Sequence, residues 1–218
     1  MVKQSALHDK SRIQLAEKVA ASGVRNHQVL GAIATVPRHA FVDEALDGRA
    51  YEDSALPIGH HQTISKPSVV ARMVELLFKP KKELGKVLEI GTGCGYQAAI
   101  LSLLAEEVYS IERIRPLHEQ ARAKLRPFRI PNLRLIYGDG IRGLPQAAPF
   151  DGIILAAAGL GIPDPLLDQL AIGGRLVAPV AKNEELQQLV VVERVSSQRY
   201  QRTVLEEVFF VPLQSGTV

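Results

Sequence analysis

Three glycines at alternate positions, Gly91, Gly93 and Gly95, follow the apolar run Val87-Leu88-Glu89-Ile90, with Thr92, Cys94 and Tyr96 between and after them. Lacking a Cβ, glycine permits turns closed to other residues and lets the backbone approach a ligand closely. A helix expected to begin near Tyr96 would aim unpaired N–H groups at whatever the turn holds. The stretch therefore predicts a ligand cradle at the end of a strand. Gly93-x-Gly95-x-x-Ala98 also satisfies the dinucleotide pattern, with Glu112 downstream as its acidic residue, so the glycines alone leave two ligand classes open.

Three carboxylates lean towards S-adenosylmethionine. Glu89 lies two residues before the first glycine, where a core strand normally places an apolar side chain. A carboxylate there would repel a pyrophosphate and suit a ligand with an ammonium end. Glu112 ends the apolar run Val108 to Ile111 and could accept from both ribose hydroxyls, a contact common to both ligands. Asp139, between Gly138 and Gly140, follows a third apolar run and could accept from an adenine amino group. Each also has a plain structural reading: Glu89 as a salt-bridged strand residue, Glu112 as a surface charge beside Arg113, Asp139 as a turn former.

The elements that must carry these residues alternate from residue 84 onward. The pattern predicts strand 86–90, helix 96–104, strand 107–111, helix 115–126, strand 133–137, strand 151–156, helix 163–170 and strand 174–180. That order predicts an α/β fold with a doubly wound, mostly parallel, Rossmann-like sheet. Two β-rich runs, 186–195 and 203–213, joined by Ser196-Ser197-Gln198, predict a C-terminal antiparallel strand pair. Two N-terminal helices are predicted within residues 1–50, one with an apolar face of Ile13, Ala16, Val19 and Ala20, the other with Val29, Leu30, Ile33 and Ala34; Gly23 breaks the first and Pro37 stops the second. One domain is expected over 1–218: N-terminal helices and a substrate loop (1–83), a cofactor-binding core (84–182) and C-terminal strands (183–218).

Between the helices and the sheet lies a segment, residues 51–66, that reads as irregular. It contains Ile58-Gly59-His60-His61-Gln62-Thr63-Ile64-Ser65, and an apolar helix with Val69, Val70, Met73, Leu76 and Leu77 follows Pro67. Ser65 is placed to cap that helix, with Pro67 in its first turn. A loop of this length beside a ligand cradle can also offer main-chain groups to a bound peptide and close over a cofactor.

Composition fits a globular α/β enzyme: 218 residues, 46% hydrophobic, a net charge of +3 and a pI near 9.0. The basic residues are spread rather than gathered with aromatics, so no nucleic-acid role is expected; the densest group, Lys79-Pro80-Lys81-Lys82, reads as a solvated loop. Cys94 is alone, which excludes an internal disulfide and a paired-cysteine metal site, and no metal is expected. No run approaches the ~20 apolar residues of a membrane span and the N-terminus lacks a signal pattern, so a cytoplasmic protein with no membrane partner is expected.

Leu56-Pro57-Ile58-Gly59, Gln62-Thr63-Ile64-Ser65, Val87 to Gln97, Gly138-Asp139-Gly140 and Pro149-Phe150-Asp151 together resemble the protein-L-isoaspartate O-methyltransferase family, from Val36-Pro37-Arg38 and Phe41-Val42 to Phe210-Val211-Pro212-Leu213. The glycine turn is shared by many methyltransferases; the Thr-Ile-Ser segment is far more specific. The resemblance implies a methyl transfer from S-adenosylmethionine to isoaspartyl residues in damaged proteins and peptides; a monomer is expected. It implies Ser65 in the catalytic position and Ile58, Thr63 and Ser65 at the substrate. It likewise implies Thr63, Ile64, Glu89, Gly91, Thr92, Gly93, Gly95, Tyr96, Glu112, Asp139 and Gly140 at the cofactor. His61 departs from the family pattern, which often has a second glycine before the Gln, and a positive φ there would strain it. Lys66, Ser68 and the run Ala156-Ala157-Ala158-Gly159 depart as well. An NAD-dependent oxidoreductase, a methyltransferase for small molecules or nucleic acid, and a cofactor-binding protein without catalysis are the competing readings.

Overall fold

The computed structural model describes residues 2–79, 83–183 and 185–218; of the basic group 79–82 expected as a solvated loop, 80–82 lie outside the described residues, and Lys79 is instead held in an ion pair, its Nζ 2.6 Å from Glu193 Oε1. Helices α1 (Val2–Ala21) and α2 (His27–Thr35) pack together, separated by Gly23, whose φ of 116° reverses the chain. Asn26 caps α2 by accepting from the N–H groups of Gln28 and Val29. The buried stripe of α1 is Leu15 and Val19, four residues apart, while Ile13 is 57% exposed. This corrects the expected face, because Leu15 shares a helical turn with Val19 and Ile13 lies on another side. The His8 and His39 rings stack at 3.8 Å, and His8 Nε2 lies 3.3 Å from Asp47 Oδ2, which ties α1 to the 3₁₀ turn Glu44–Arg49.

Residues 51–66 are more regular than expected. They contain a two-stranded antiparallel hairpin, β1 (Leu56–Gly59) and β2 (Gln62–Ile64), turning at His60 and His61, whose φ values are 52° and 55°. Helix α3 (Pro67–Leu77) follows, burying Val70, Ala71, Met73, Val74 and Leu77. Its N-cap is Lys66, with no side-chain cap bond and Pro67 in the first turn. The expectation that Ser65 caps this helix is thereby corrected.

The main sheet has seven strands: β3 (Leu84–Ile90), β4 (Ala105–Glu112), β5 (Leu133–Tyr137), β6 (Phe150–Leu155), β7 (Leu170–Ala181), β8 (Gln187–Arg194) and β9 (Tyr200–Val208). Their spatial order is β5-β4-β3-β6-β7-β8-β9, parallel as far as β7 and antiparallel beyond it. Helices α4 (Tyr96–Ser102), α5 (Arg115–Leu125) and α6 (Asp164–Asp168) lie in the connections. Strand β3 is buried on both faces: Val87 joins the cluster built with α2, α3 and α4, and Leu88 and Ile90 join the other. The strands run to both sides of β3, so the order reverses between β3 and β6, which is where open α/β sheets bind ligands at their carboxyl ends.

Strand β9 ends at Val208, five residues before the predicted run does. Residues beyond it turn back across the carboxyl rim of the sheet: Ala158 N donates to Val211 O at 2.8 Å and Leu213 N to Ala158 O at 2.8 Å. Among the described residues no helix is long and apolar enough to cross a membrane.

Candidate active site

At the carboxyl rim, the glycine turn folds as its composition demands. Gly91, Gly93 and Gly95 adopt φ values of 95°, 54° and 92°, all in the region that disfavours side chains. A Cβ on Gly95 would stand 2.7 Å from Leu125 Cδ1, and one on Gly93 3.2 Å from Ile58 Cδ1. The turn is anchored to its neighbouring strand: Gly91 N and Thr92 N both donate to Ile111 O, at 2.8 and 3.2 Å. Gly140 comes equally close to β3, where a Cβ would collide with Ile90.

A cavity opens between this turn, the hairpin and the returning C-terminal segment. The structure brings Ile58, Thr63, Ile64, Ser65, Gly91, Thr92, Gly93, Tyr96, Glu112 and Gly140 to its wall, together with Cys94, Gln97, Ala156 and Leu213. Ser65 is half-buried, and its hydroxyl makes no hydrogen bond to the protein among the described residues. It is free to bind something else.

Glu112 ends β4 with its carboxylate fixed by two main-chain donors, Gly93 N at 2.8 Å and Ile114 N at 2.9 Å, one to each oxygen. Each oxygen keeps acceptor capacity beyond that bond, and the residue faces the cavity. This is the arrangement a pair of vicinal hydroxyls needs.

Glu89, Gly95 and Asp139 do not line the cavity. Glu89 is wholly buried behind the turn, accepting from Gln97 Nε2 at 2.9 Å and from the Ser110 hydroxyl, which also pairs with the Thr92 hydroxyl. Burial pushes its carboxyl up to about 8, because desolvation disfavours the charged form more than these two hydrogen bonds favour it. Its place is beneath Thr92 and Gln97, which do reach the wall. Asp139 spends one oxygen on Ile141 N at 3.0 Å and the other on Gly216 N at 2.8 Å.

Arg38 carries a role the sequence reading missed. Its guanidinium is completely buried, with Nη1 donating to Ser65 O and Nη2 to Ser54 O, both at 2.8 Å. The available signal is an arginine directly after Val36-Pro37 and just ahead of the apolar Ala40-Phe41-Val42. Arg113 is the other: its Nε donates to Gly216 O at 2.9 Å and its Nη1 to Gln214 Oε1 at 3.0 Å, holding the C-terminal segment over the rim.

Comparison with known proteins agrees with this geometry. Residues 10–218 match the family described as protein-L-isoaspartate(D-aspartate) O-methyltransferase. The protein-L-isoaspartate O-methyltransferase of Cupriavidus pinatubonensis is 63% identical, over 96% of this chain and 74% of that protein. That of Ralstonia nicotianae is 61% identical, over 96% and 70%. A solved protein-L-isoaspartate O-methyltransferase superposes with a TM-score of 0.84 at 27% identity, over 94% of this chain and 66% of that one, so the chain spans just under two thirds of that structure. A Plasmodium falciparum structure, described as a complex of a candidate enzyme of this kind with S-adenosyl-L-homocysteine, shares the fold with a TM-score of 0.78 at 22% identity, over 93% of this chain and 98% of that one.

Proposed function

The chain belongs to the protein-L-isoaspartate(D-aspartate) O-methyltransferase family, and from that premise we propose that it methylates the free α-carboxylate of isoaspartyl residues in damaged proteins and peptides, with Ser65 as the residue that orients the acceptor. The observation that carries this reading is the placement of an unengaged Ser65 hydroxyl on the same cavity wall as the glycine turn and Glu112.

The chain's own residues fit S-adenosylmethionine as the donor. The turn at Gly91 to Gly95 is a cradle that side chains would fill, Glu112 stands at the strand end where ribose hydroxyls are held, and Gly140 leaves room beside Ile90. When bound, S-adenosylmethionine supplies a methyl group activated by the adjoining sulfonium charge. An acceptor carboxylate with a pKa of about 3.5 is already ionised at neutral pH, so no residue has to remove a proton. What remains for the protein is alignment at near-attack distance. Ser65 donates its hydroxyl hydrogen to the acceptor carboxylate, while Thr63 and Ile64 shape the groove beside it. Recognition through the carboxylate and main-chain groups leaves the flanking sequence free, as a repair enzyme requires. The methyl ester carries a better leaving group than the carboxylate does, so the following backbone nitrogen attacks the ester carbonyl and expels methanol to close a succinimide, which water reopens in part to normal aspartate without the enzyme.

The test is a pair of peptides of one sequence, one with aspartate and one with isoaspartate, incubated with methyl-labelled donor. Base-labile label on the isoaspartyl peptide alone is the expected result. Equal labelling of both, or transfer only to small molecules or nucleic acid, would overturn the reading.

A further inference from the structure

Arg38 is a charged group in a place where a charge is costly. It is fully buried, and desolvation lowers its pKa despite the long-range attraction of Asp53. Among the described residues no carboxylate stands within ion-pair distance of it; Asp53 Oδ1 accepts from Ser68 N instead. A methionine of similar volume would pack there without that desolvation cost. Its partners show what the charge is kept for. The two carbonyls it grips, Ser54 O and Ser65 O, stand at the two ends of the segment that contains the β1–β2 hairpin. One planar fork therefore closes the base of the segment on which Ile58, Thr63, Ile64 and Ser65 reach the cavity.

The same guanidinium lies 5.1 Å from the centre of the Tyr96 ring. Tyr96 begins α4 immediately after the glycine turn and is itself buried on the cavity wall. The Tyr96 hydroxyl and Arg38 Nε are both buried with no hydrogen-bond partner outside this pair, and the Arg38 charge acts on the hydroxyl. Arg38 thus touches the hairpin segment through two hydrogen bonds and the donor-side turn through a ring face. No other side chain of the described residues donates to both Ser54 O and Ser65 O.

We propose that Arg38 is a positioning residue, which clasps the two ends of segment 54–65 against Tyr96 and so sets where the Ser65 hydroxyl stands relative to the glycine turn. This rests on the reading of Ser65 as the acceptor-orienting group. Lysine is no substitute, because a single ammonium on a flexible stem lacks the rigid, planar spacing of donors that reaches two carbonyls at once.

The experiment compares Arg38→Lys with the unaltered protein in three measurements: amide hydrogen exchange without donor or acceptor, S-adenosylhomocysteine affinity, and methyl transfer to an isoaspartyl peptide. The expected result is faster exchange confined to residues 54–65, affinity for S-adenosylhomocysteine within about threefold, and kcat lower by roughly tenfold, the scale of one lost charge-assisted hydrogen bond. A folded variant with unchanged exchange and unchanged kcat overturns the proposal. So does protection lost uniformly along the chain, which would make Arg38 a general stabiliser. Failure of the functional reading looks different: the unaltered protein would then transfer no methyl to the isoaspartyl peptide, while the exchange comparison would still report on the clasp.

Discussion

Two residues of the site behave differently from what their types suggest. Glu89 is a carboxyl group on a strand with no cation beside it, and its burial raises its pKa to about 8. In the unfolded chain the group titrates near 4.5. Between those values the folded protein binds the extra proton, so the Glu89 contribution to stability is complete below the unfolded pKa and is lost as pH rises towards about 8. Glu89→Gln keeps an acceptor oxygen for Ser110 or Gln97 and has no proton to exchange. Urea unfolding across that range is expected to show a flatter pH dependence in the variant, and an identical slope would mean that Glu89 is ionised in the fold. Ser65→Ala addresses the other residue. Removing a hydrogen bond to a charged acceptor is expected to cost about 1.5–3 kcal/mol, hence roughly a ten- to hundredfold lower kcat, with S-adenosylhomocysteine affinity unchanged by calorimetry; a loss of that affinity at unchanged kcat would count against the assignment. At this scale the sequence marks the glycines, because residues without a Cβ adopt those φ values free of the strain that other residues bear there, and it marks Glu112 by its place after an apolar run. It gives no hint that Glu89 faces Ser110 and Gln97 rather than the cavity, since that depends on the register of β3 against β4, where Glu89 stands opposite Ser110.

The parallel strands announce themselves in the sequence as dense apolar runs, and their predicted bounds fall within a few residues of the observed ones. The hairpin at 56–64 does not. Its strands have only four and three residues, only Leu56 and Ile64 are buried in them, and its turn lacks the Asn-Gly pair that usually marks such a connection. Instead His60 and His61 both hold positive φ, as a type I′ turn requires, and both are exposed. A side chain in that region costs on the order of 1 kcal/mol per residue. The double substitution His60→Asn with His61→Gly, which installs the favoured turn pair, is expected to raise Tm by about 2–4 °C by differential scanning calorimetry. A lower Tm would show that the imidazoles stabilise the turn through contacts of their own. Ser65 gains its free hydroxyl from the same local geometry: Lys66 takes the N-cap position of α3 without a side-chain cap, so the serine next to it is not consumed by the helix.

Across the whole molecule, the site exists because the sheet reverses its strand order beside β3. The turn after β3, Glu112 at the end of β4, Gly140 after β5 and Ala156 after β6 are far apart in the chain and meet only at that rim. The alternation of strands and helices makes this core legible. The roof is not, because residues 209–218 belong to no regular element and their path depends on long-range partners. Those partners are specific: Arg115 N donates to Val218 O at 2.7 Å, Val218 N to Arg113 O at 2.9 Å, and the Arg113 side chain reaches Gln214 and Gly216. Val211 to Gln214 then form one wall of the cavity, so a ligand below them leaves more slowly while the segment is held down. Arg113→Ala removes only partly exposed contacts, each worth little to global stability, and Tm is expected to stay within a few degrees. Amide exchange at 214–218 is expected to rise. S-adenosylhomocysteine should dissociate about three- to tenfold faster by stopped-flow fluorescence, since altered contacts around a ligand act mainly on the off-rate. Raised exchange with an unchanged off-rate would separate the segment from ligand retention, whereas unchanged exchange would show that the main-chain bonds at Arg113 and Arg115 hold it without the guanidinium.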